Sequence, residues 1–262
     1  MLAAVVRGDV AALSPLLPPS LDARLDTEKQ DTLLTWAARH GQAAVATLLL
    51  ERGAEIDVTT GRGASALFLA AQDGHAECVR LLCGAGATVD LANGDGDTPL
   101  LMAAQDGHAE CVRVLSSYGA ARVCDVQHTD AEQVAAQQNH VQMLAWLQSS
   151  RTWTALHHVE VLTAARVREL LRGGADLHVG SPSPLERARA AEGEASALIL
   201  RAAVWSPEAH ELFPPAARAR AVILLKLGHL LAWSPQFAAE ARSLVDAWVG
   251  FVLPHAVVRG CC

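Results

Sequence analysis

AAQDGHAECVR at residues 70–80, and AAQDGHAECVR again at residues 103–113, decide how this chain is read. The two copies are identical over eleven residues and lie 33 apart. The same offset links Gly8, Gly41, Gly74 and Gly107, and it links Gly53, Gly86 and Gly119, each of which is followed by Ala. Thr32, Ser65 and Thr98 fall in the same register. A fixed period of this size marks a repeat architecture, in which each unit buries its apolar face against its neighbours.

One unit, Gly96 to Ala120, shows the physical logic. Thr98 is placed to cap a helix through its hydroxyl, and Pro99 suits the first helical position, where no amide hydrogen bond is lost. Leu100, Ala103 and Ala104 recur at helical spacing. Gly107 is expected to end this short helix in a left-handed conformation. A second helix is expected from about Ala109, burying Cys111, Val112, Val114 and Leu115, and ending at Gly119. Val89 to Gly96 is polar and turn-rich, with Asn93-Gly94 as a hairpin signal.

These motifs resemble the ankyrin family, whose pattern G-x-TPLH-x-AA-x-x-GH closes in LL-x-x-GA-D. It is carried here by GDTPLLMAAQDGHAECVRVLSSYGA, GASALFLAAQDGHAECVRLLCGAGATVD and QDTLLTWAARHGQAAVATLLLERGAEID. The rival helical repeat of 34-residue period wants Trp and Tyr at fixed positions that are absent. The resemblance is strong over residues 27–122 and weaker on either side. Residues 2–24 read as a first repeat without its hairpin, with Pro15 inside its second helix. Residues 130–150 keep AA-x-x-NH but lose the TPL start. Residues 154–178 are a compact unit, and residues 183–203 lack the closing Gly-Ala-Asp. The implied fold is all-α: an α-solenoid of about seven stacked helix-turn-helix repeats with short β-hairpin or loop connections, capped by C-terminal helices. The expected domains are a repeat solenoid over 1–203 and a helical cap or tail over 204–262. In that tail a nearly all-round apolar helix from about Ala216 to Trp233 calls for burial, and Ser234-Pro235 opens a last helix to about Leu253. The tail resembles those of predicted ankyrin proteins of protists, which implies no function.

Composition fits this class. Of 262 residues, 51% are hydrophobic and only 4% aromatic, so the core must rest on Ala, Leu and Val. The net charge of −7 disfavours a nucleic-acid or anionic-membrane role, both of which need clustered positive charge. No apolar run approaches the ~18 residues of a membrane span, and MLAAVVRGD carries too short a run for a secretory signal. The expected setting is the cytoplasm, with the nucleus open, and Cys78, Cys83, Cys111, Cys124, Cys261 and Cys262 are expected to be reduced thiols.

Candidate chemistry is thin. His75 with Cys78, and His108 with Cys111, have a spacing suited to zinc, but adjacent helices ~8–10 Å apart cannot easily close on ~2.0–2.3 Å bonds. Asn93–Thr98 imitates the start of a calcium loop yet lacks Gly at position six and Glu at twelve. His157-His158 has no neighbouring nucleophile motif. The Cys261-Cys262 ending resembles the doubly prenylated terminus of small membrane-traffic GTPases, but the polybasic companion is missing. The expectations are no enzymatic activity, no cofactor, no metal and no lipid anchor at those cysteines.

Binding is the positive signal. In the ankyrin family the variable positions are the hairpin tips and the exposed face of the first helix. Here the helix face carries Trp36, Arg39 and His40, then Leu69, Gln72 and Asp73, then Met102, Gln105 and Asp106. The tips carry Glu28, Lys29, Arg62, Asp95 and Asp97. Trp36, Leu69 and Met102 lie 33 apart and are expected to form an exposed apolar stripe. The expected function is a monomeric, non-enzymatic scaffold that holds a protein partner on the concave ankyrin face. The alternative is a substrate adaptor whose C-terminal helices recruit a larger machine such as a ubiquitin ligase.

Overall fold

The structure is a computed structural model that describes residues 2–18, 20–25, 30–124, 129–204, 206, 209–232 and 249. The tip residues Glu28 and Lys29, the last helix expected to about Leu253, and Cys261-Cys262 lie outside the described residues. The chain divides into two compact units, Met1–Ala155 and Leu156–Cys262.

The first unit is a stack of helix pairs: α1 (Leu2–Arg7) with α2 (Val10–Leu13), α3 (Leu33–Arg39) with α4 (Ala43–Glu51), α5 (Ala66–Gln72) with α6 (Ala76–Gly84) and α7 (Pro99–Gln105) with α8 (Ala109–Ser117). A strand pair, β1 (Val123–Cys124) and β2 (Thr129–Asp130), leads into α9 (Ala131–Gln137) and α10 (Val141–Ser149). Val123 pairs with Asp130, antiparallel. First helices pack on first helices through α1, α3, α5, α7 and α9, and second on second through α2, α4, α6 and α8.

Local chemistry explains each boundary. The hydroxyls of Thr32, Ser65 and Thr98 accept the backbone N–H of Thr35, Phe68 and Leu101, so each first helix is capped where the repeat begins. Gly74 and Gly107 sit at φ +79° and +81°, and in the fifth repeat Asn139, a residue that tolerates this region, takes the place at φ +60°. Ala37-Ala38, Ala70-Ala71 and Ala103-Ala104 are wholly buried, and their small side chains let neighbouring helices approach closely. Pro15 falls in a 3-10 turn, Ser14–Leu16, at the end of the truncated α2, where its missing N–H does no harm.

The connections between repeats are tight turns more than hairpins. Thr60 N–H donates to Ala64 O and Asn93 N–H to Asp97 O, each at 2.9 Å, without a longer ladder. Adjacent tips are joined by Gly94 N–H donating to Arg62 O at 2.8 Å.

In the second unit a 3-10 turn, Ala155–His157, precedes α11 (Ala164–Arg172), α12 (Pro184–Ala190), α13 (Glu194–Arg201), a 3-10 turn at His210–Leu212 and α14 (Pro215–Ala232). Thr163 caps α11, and Ser183 with Glu186 forms a capping box on α12. The compact sixth repeat has kept its second helix, α11, and reduced its first to the 3-10 turn. Leu156, Val167, Leu171, Leu198 and Ile199 share one core with Ala209, Leu212, Phe213, Ala217 and Ala221. The compact-unit boundary thus lies inside the stretch expected to be one solenoid, and none lies at 203/204, because residues 209–221 contribute to the core of α11–α13. Among the described residues of the long apolar helix, burial all round is not found: Ala217 and Ala221 are buried, whereas Val222, Ile223 and Leu227 of α14 are exposed.

Candidate interaction face

The face is built on α3, α5 and α7, whose last turns carry Arg39-His40, Gln72-Asp73 and Gln105-Asp106 at equivalent places. Asp73, Gln105 and Asp106 are exposed, and Gln72, Arg39 and His40 are half-buried. Arg39 pairs through Nη2 with Oδ1 of the fully buried Asp31 at 3.3 Å, and its guanidinium-bearing side chain stays 32% exposed. His40 stacks on Trp36 with ring centroids 5.1 Å apart. Its Nδ1 lies 2.9 Å from Trp36 O; a carbonyl only accepts, so this nitrogen carries the proton.

The expected apolar stripe needs correction. Leu69 is 4% exposed and packs with Ala64 and Phe68, while Met102 is half-buried against the same cluster. Trp36 is half-buried and its indole Nε1 is enclosed without a hydrogen-bond partner among the described residues. Leu69 is a core residue, because Ala64 from the turn and Met102 from the next repeat close over it. Along α3, α5 and α7 the fully exposed residues of the expected face are Asp73, Gln105 and Asp106, with Trp36, Arg39, His40, Gln72 and Met102 half-buried beside them.

The tips differ in charge from one repeat to the next. Arg62 and Asp95 are exposed equivalents, 33 residues apart, and Asp97 is half-buried. The oxygen of the Asn93 side chain accepts the N–H of Asp95 at 3.0 Å and of Asp97 at 2.9 Å. The segment that imitates a calcium loop therefore turns on its own backbone.

Two rows of side chains hold the repeats in register. His75 Nε2–H donates to Arg39 O and His140 Nε2–H to Gln105 O, both at 3.0 Å. Gln42 does the same to Val6 O at 2.7 Å. Each ring lies over the left-handed glycine of the preceding repeat: a Cβ at Gly41, Gly74 or Gly107 would come within 2.6 Å of His75, 2.5 Å of His108 or 2.6 Å of His140. The second row is acidic. Asp57 accepts Thr88 Oγ1–H at 2.6 Å and Thr88 N–H at 3.1 Å, and Asp90 accepts Ala121 N–H at 2.9 Å. This aspartate row was missed from sequence, although its 33-residue spacing was there to find.

The zinc-like residues are committed elsewhere. The His75 ring is used on Arg39 O, and Cys78 and Cys111 are buried. Burial, aided by Glu77, pushes the Cys78 thiol up to about 11, and burial with Glu110 pushes Cys111 up to about 12. Among the described residues no group of three or more His, Cys, Asp or Glu is placed to hold a metal. No described helix is long and apolar enough to cross a membrane.

The fifth repeat substitutes ion pairing for an apolar contact. Glu132 stands where the fourth repeat has Leu100 and is 8% exposed. Arg151 grips it with Nε at 2.8 Å and Nη2 at 2.6 Å, which holds its carboxyl below the ordinary range. Arg122 donates to Leu147 O and Ser150 O, closing the end of α10, and lies 5.7 Å from the Trp146 ring.

No curated protein is matched by the chain. The family profile for ankyrin repeats (3 copies) matches it over residues 1–93 and again over 67–154, which together take in every helix pair of the first unit and more than half of the sequence. With the capped helix pairs, the left-handed glycines and the interlocking histidines of that unit, this establishes that the chain belongs to the ankyrin repeat family.

Proposed function

We propose that this chain is a non-enzymatic scaffold that holds a partner protein against the last turns of α3, α5 and α7. Ankyrin repeats are protein–protein interaction modules, and the family sets the class of activity. The observation that supports this particular face is the contrast between neighbours. In α5 and α7 the residues of the Ala-Ala pair are sealed in the core, yet Asp73, Gln105 and Asp106 stand at the surface in consecutive repeats, with Gln72 half-buried beside them. Asp73 and Asp106 form no ion pair within the described residues. Arg39, His40, Arg62, Asp95, Asp97 and Met102 extend the same surface, with Trp36 at its edge and Leu69 as its support. The acidic balance of the chain favours a protein over a nucleic acid.

The C-terminal helices act as a cap in this reading, since residues 209–221 complete the core of α11–α13. The adaptor alternative rests on the outer side of α14, where Val222, Ile223 and Leu227 are exposed. Affinity capture with the full chain separates the two. The quadruple variant Gln72→Ala, Asp73→Ala, Gln105→Ala, Asp106→Ala should lose the captured partner while its thermal melt stays unchanged. Loss of the partner on Ile223→Asp and Leu227→Asp instead would move the site to α14.

A further inference from the structure

We propose that Asn93 is a modification site: an asparagine whose deamidation is held off while the tip before α7 is docked on the tip before α5, and proceeds when the two tips part.

The sequence holds two asparagines, Asn93, followed by Gly94, and Asn139, followed by His140. In deamidation the backbone nitrogen of the following residue gives up its proton to base and attacks the side-chain Cγ. A new C–N bond closes a cyclic imide, the bond from Cγ to Nδ2 breaks, and the amide nitrogen takes up a proton and leaves as ammonia. Water then opens the imide at either carbonyl, which gives aspartate or isoaspartate. Glycine puts no side chain in the way of this attack. Asn93 therefore carries the reactive pair, and Asn139, before an imidazole ring, is its internal reference.

In the folded chain both reacting groups are engaged. Gly94 N–H donates to Arg62 O of the neighbouring tip at 2.8 Å. Asn93 Oδ1 accepts the N–H of Asp95 at 3.0 Å and of Asp97 at 2.9 Å. The Asn93 backbone is held as well, its N–H donating to Asp97 O at 2.9 Å and its carbonyl accepting Gly96 N–H at 3.1 Å. The two tips meet without slack. A Cβ at Gly63, which sits at φ +76°, would lie 2.7 Å from Gly94 N, and one at Gly94 would lie 3.0 Å from Arg62 O.

Attack requires the Gly94 amide to leave Arg62 O and the Asn93 carboxamide to turn away from the N–H groups of Asp95 and Asp97. These three hydrogen bonds open first, and the reaction follows the population of that local opening. Three bonds of ordinary strength hold that population to about a tenth or less. Isoaspartate then routes the main chain through the former side chain and lengthens it by a further carbon, which takes Gly94 out of its place on Arg62.

The test incubates the full chain at mildly alkaline pH, folded and unfolded in urea, and follows the peptides that carry Asn93 and Asn139 by mass spectrometry. The mass gained when an amide becomes an acid is the readout, because Asp95-Gly96 in the same tip isomerises with no change in mass. Asn93 should lose its amide at least ~10-fold more slowly in the folded chain than in the unfolded one, and should outpace Asn139 once unfolded. Equal rates in the two states, or no lead over Asn139, would overturn the proposal. Gly63→Ala presses on Gly94 N and should speed the loss in the folded chain, with a thermal melt as the control for folding; an unchanged rate in a folded variant would overturn the role of the docked tip. Should that variant fail to fold, amide exchange at Gly94 in the unaltered chain decides. Exchange at Gly94 and amide loss at Asn93 should rise together as urea is raised below the unfolding transition, and amide loss that rises without faster Gly94 exchange would overturn the lock.

Discussion

A glycine and a histidine in neighbouring repeats form the smallest unit of this architecture. Gly74 has φ +79° and an added Cβ would lie 2.5 Å from His108, whereas Gly86, at φ +93°, has nothing within 4 Å of that position. Alanine at either site meets backbone strain of about 1–3 kcal/mol. Gly74→Ala should cost about 1 kcal/mol more, since it also displaces the His108 ring, and denaturant melts of the two variants measure the difference. Equal costs would mean that the ring does not bear on the turn. Leu69 shows how residue-level reading of sequence falls short. Its spacing from Trp36 and Met102 is that of a surface stripe, but burial depends on Ala64 and Met102 closing over it, and periodicity carries no information on those contacts. Leu69→Ala should therefore destabilise by about 2–5 kcal/mol, with a clearly smaller loss for the half-buried Met102→Ala in the same thermal melts.

Helix by helix, far more was readable. Thr32, Ser65 and Thr98 as caps, Pro99 at the first helical position and Gly107 as terminator are local chemistry, and each helix begins or ends where that chemistry places it. The short hairpins were less legible, because whether a polar turn extends into a ladder depends on its neighbours as well as on its Asn-Gly. Degenerate repeats hide compensation. Glu132 looks unsuited to the buried leucine position until Arg151, nineteen residues on, is seen to grip it. Arg151→Ala should destabilise at pH 7, by leaving the Glu132 carboxylate without its charged donor. The sign with pH follows from the lowered Glu132 pKa. Its contribution is present above the unfolded value of about 4.3 and is lost as pH falls through the folded one. The gap between wild type and variant in urea melts should accordingly narrow as the pH falls below that unfolded value, and a gap that stays constant down to the acid limit of folding would assign the cost to lost packing of Arg151.

At the scale of the whole molecule, the repeat period told the architecture of residues 1–155 but not the division at residue 155. From sequence, the sixth and seventh units read as continuations of the array. In the structure they share a core with residues 209–221, a long-range association that no spacing rule announces. Truncation at residue 204 should therefore expose the apolar faces of Leu198, Ile199 and Leu171 and yield aggregated protein in size-exclusion runs; a soluble 1–204 fragment with an unchanged melt would make the tail a separate domain. The functional reading is a claim about one face of the first unit. Hydrogen exchange of the full chain, alone and with the captured partner, tests that claim most directly. Exchange should slow at residues 69–73 and 102–106 with little change in α11–α13; protection confined to α14, or to helices α6 and α8, would put the partner elsewhere.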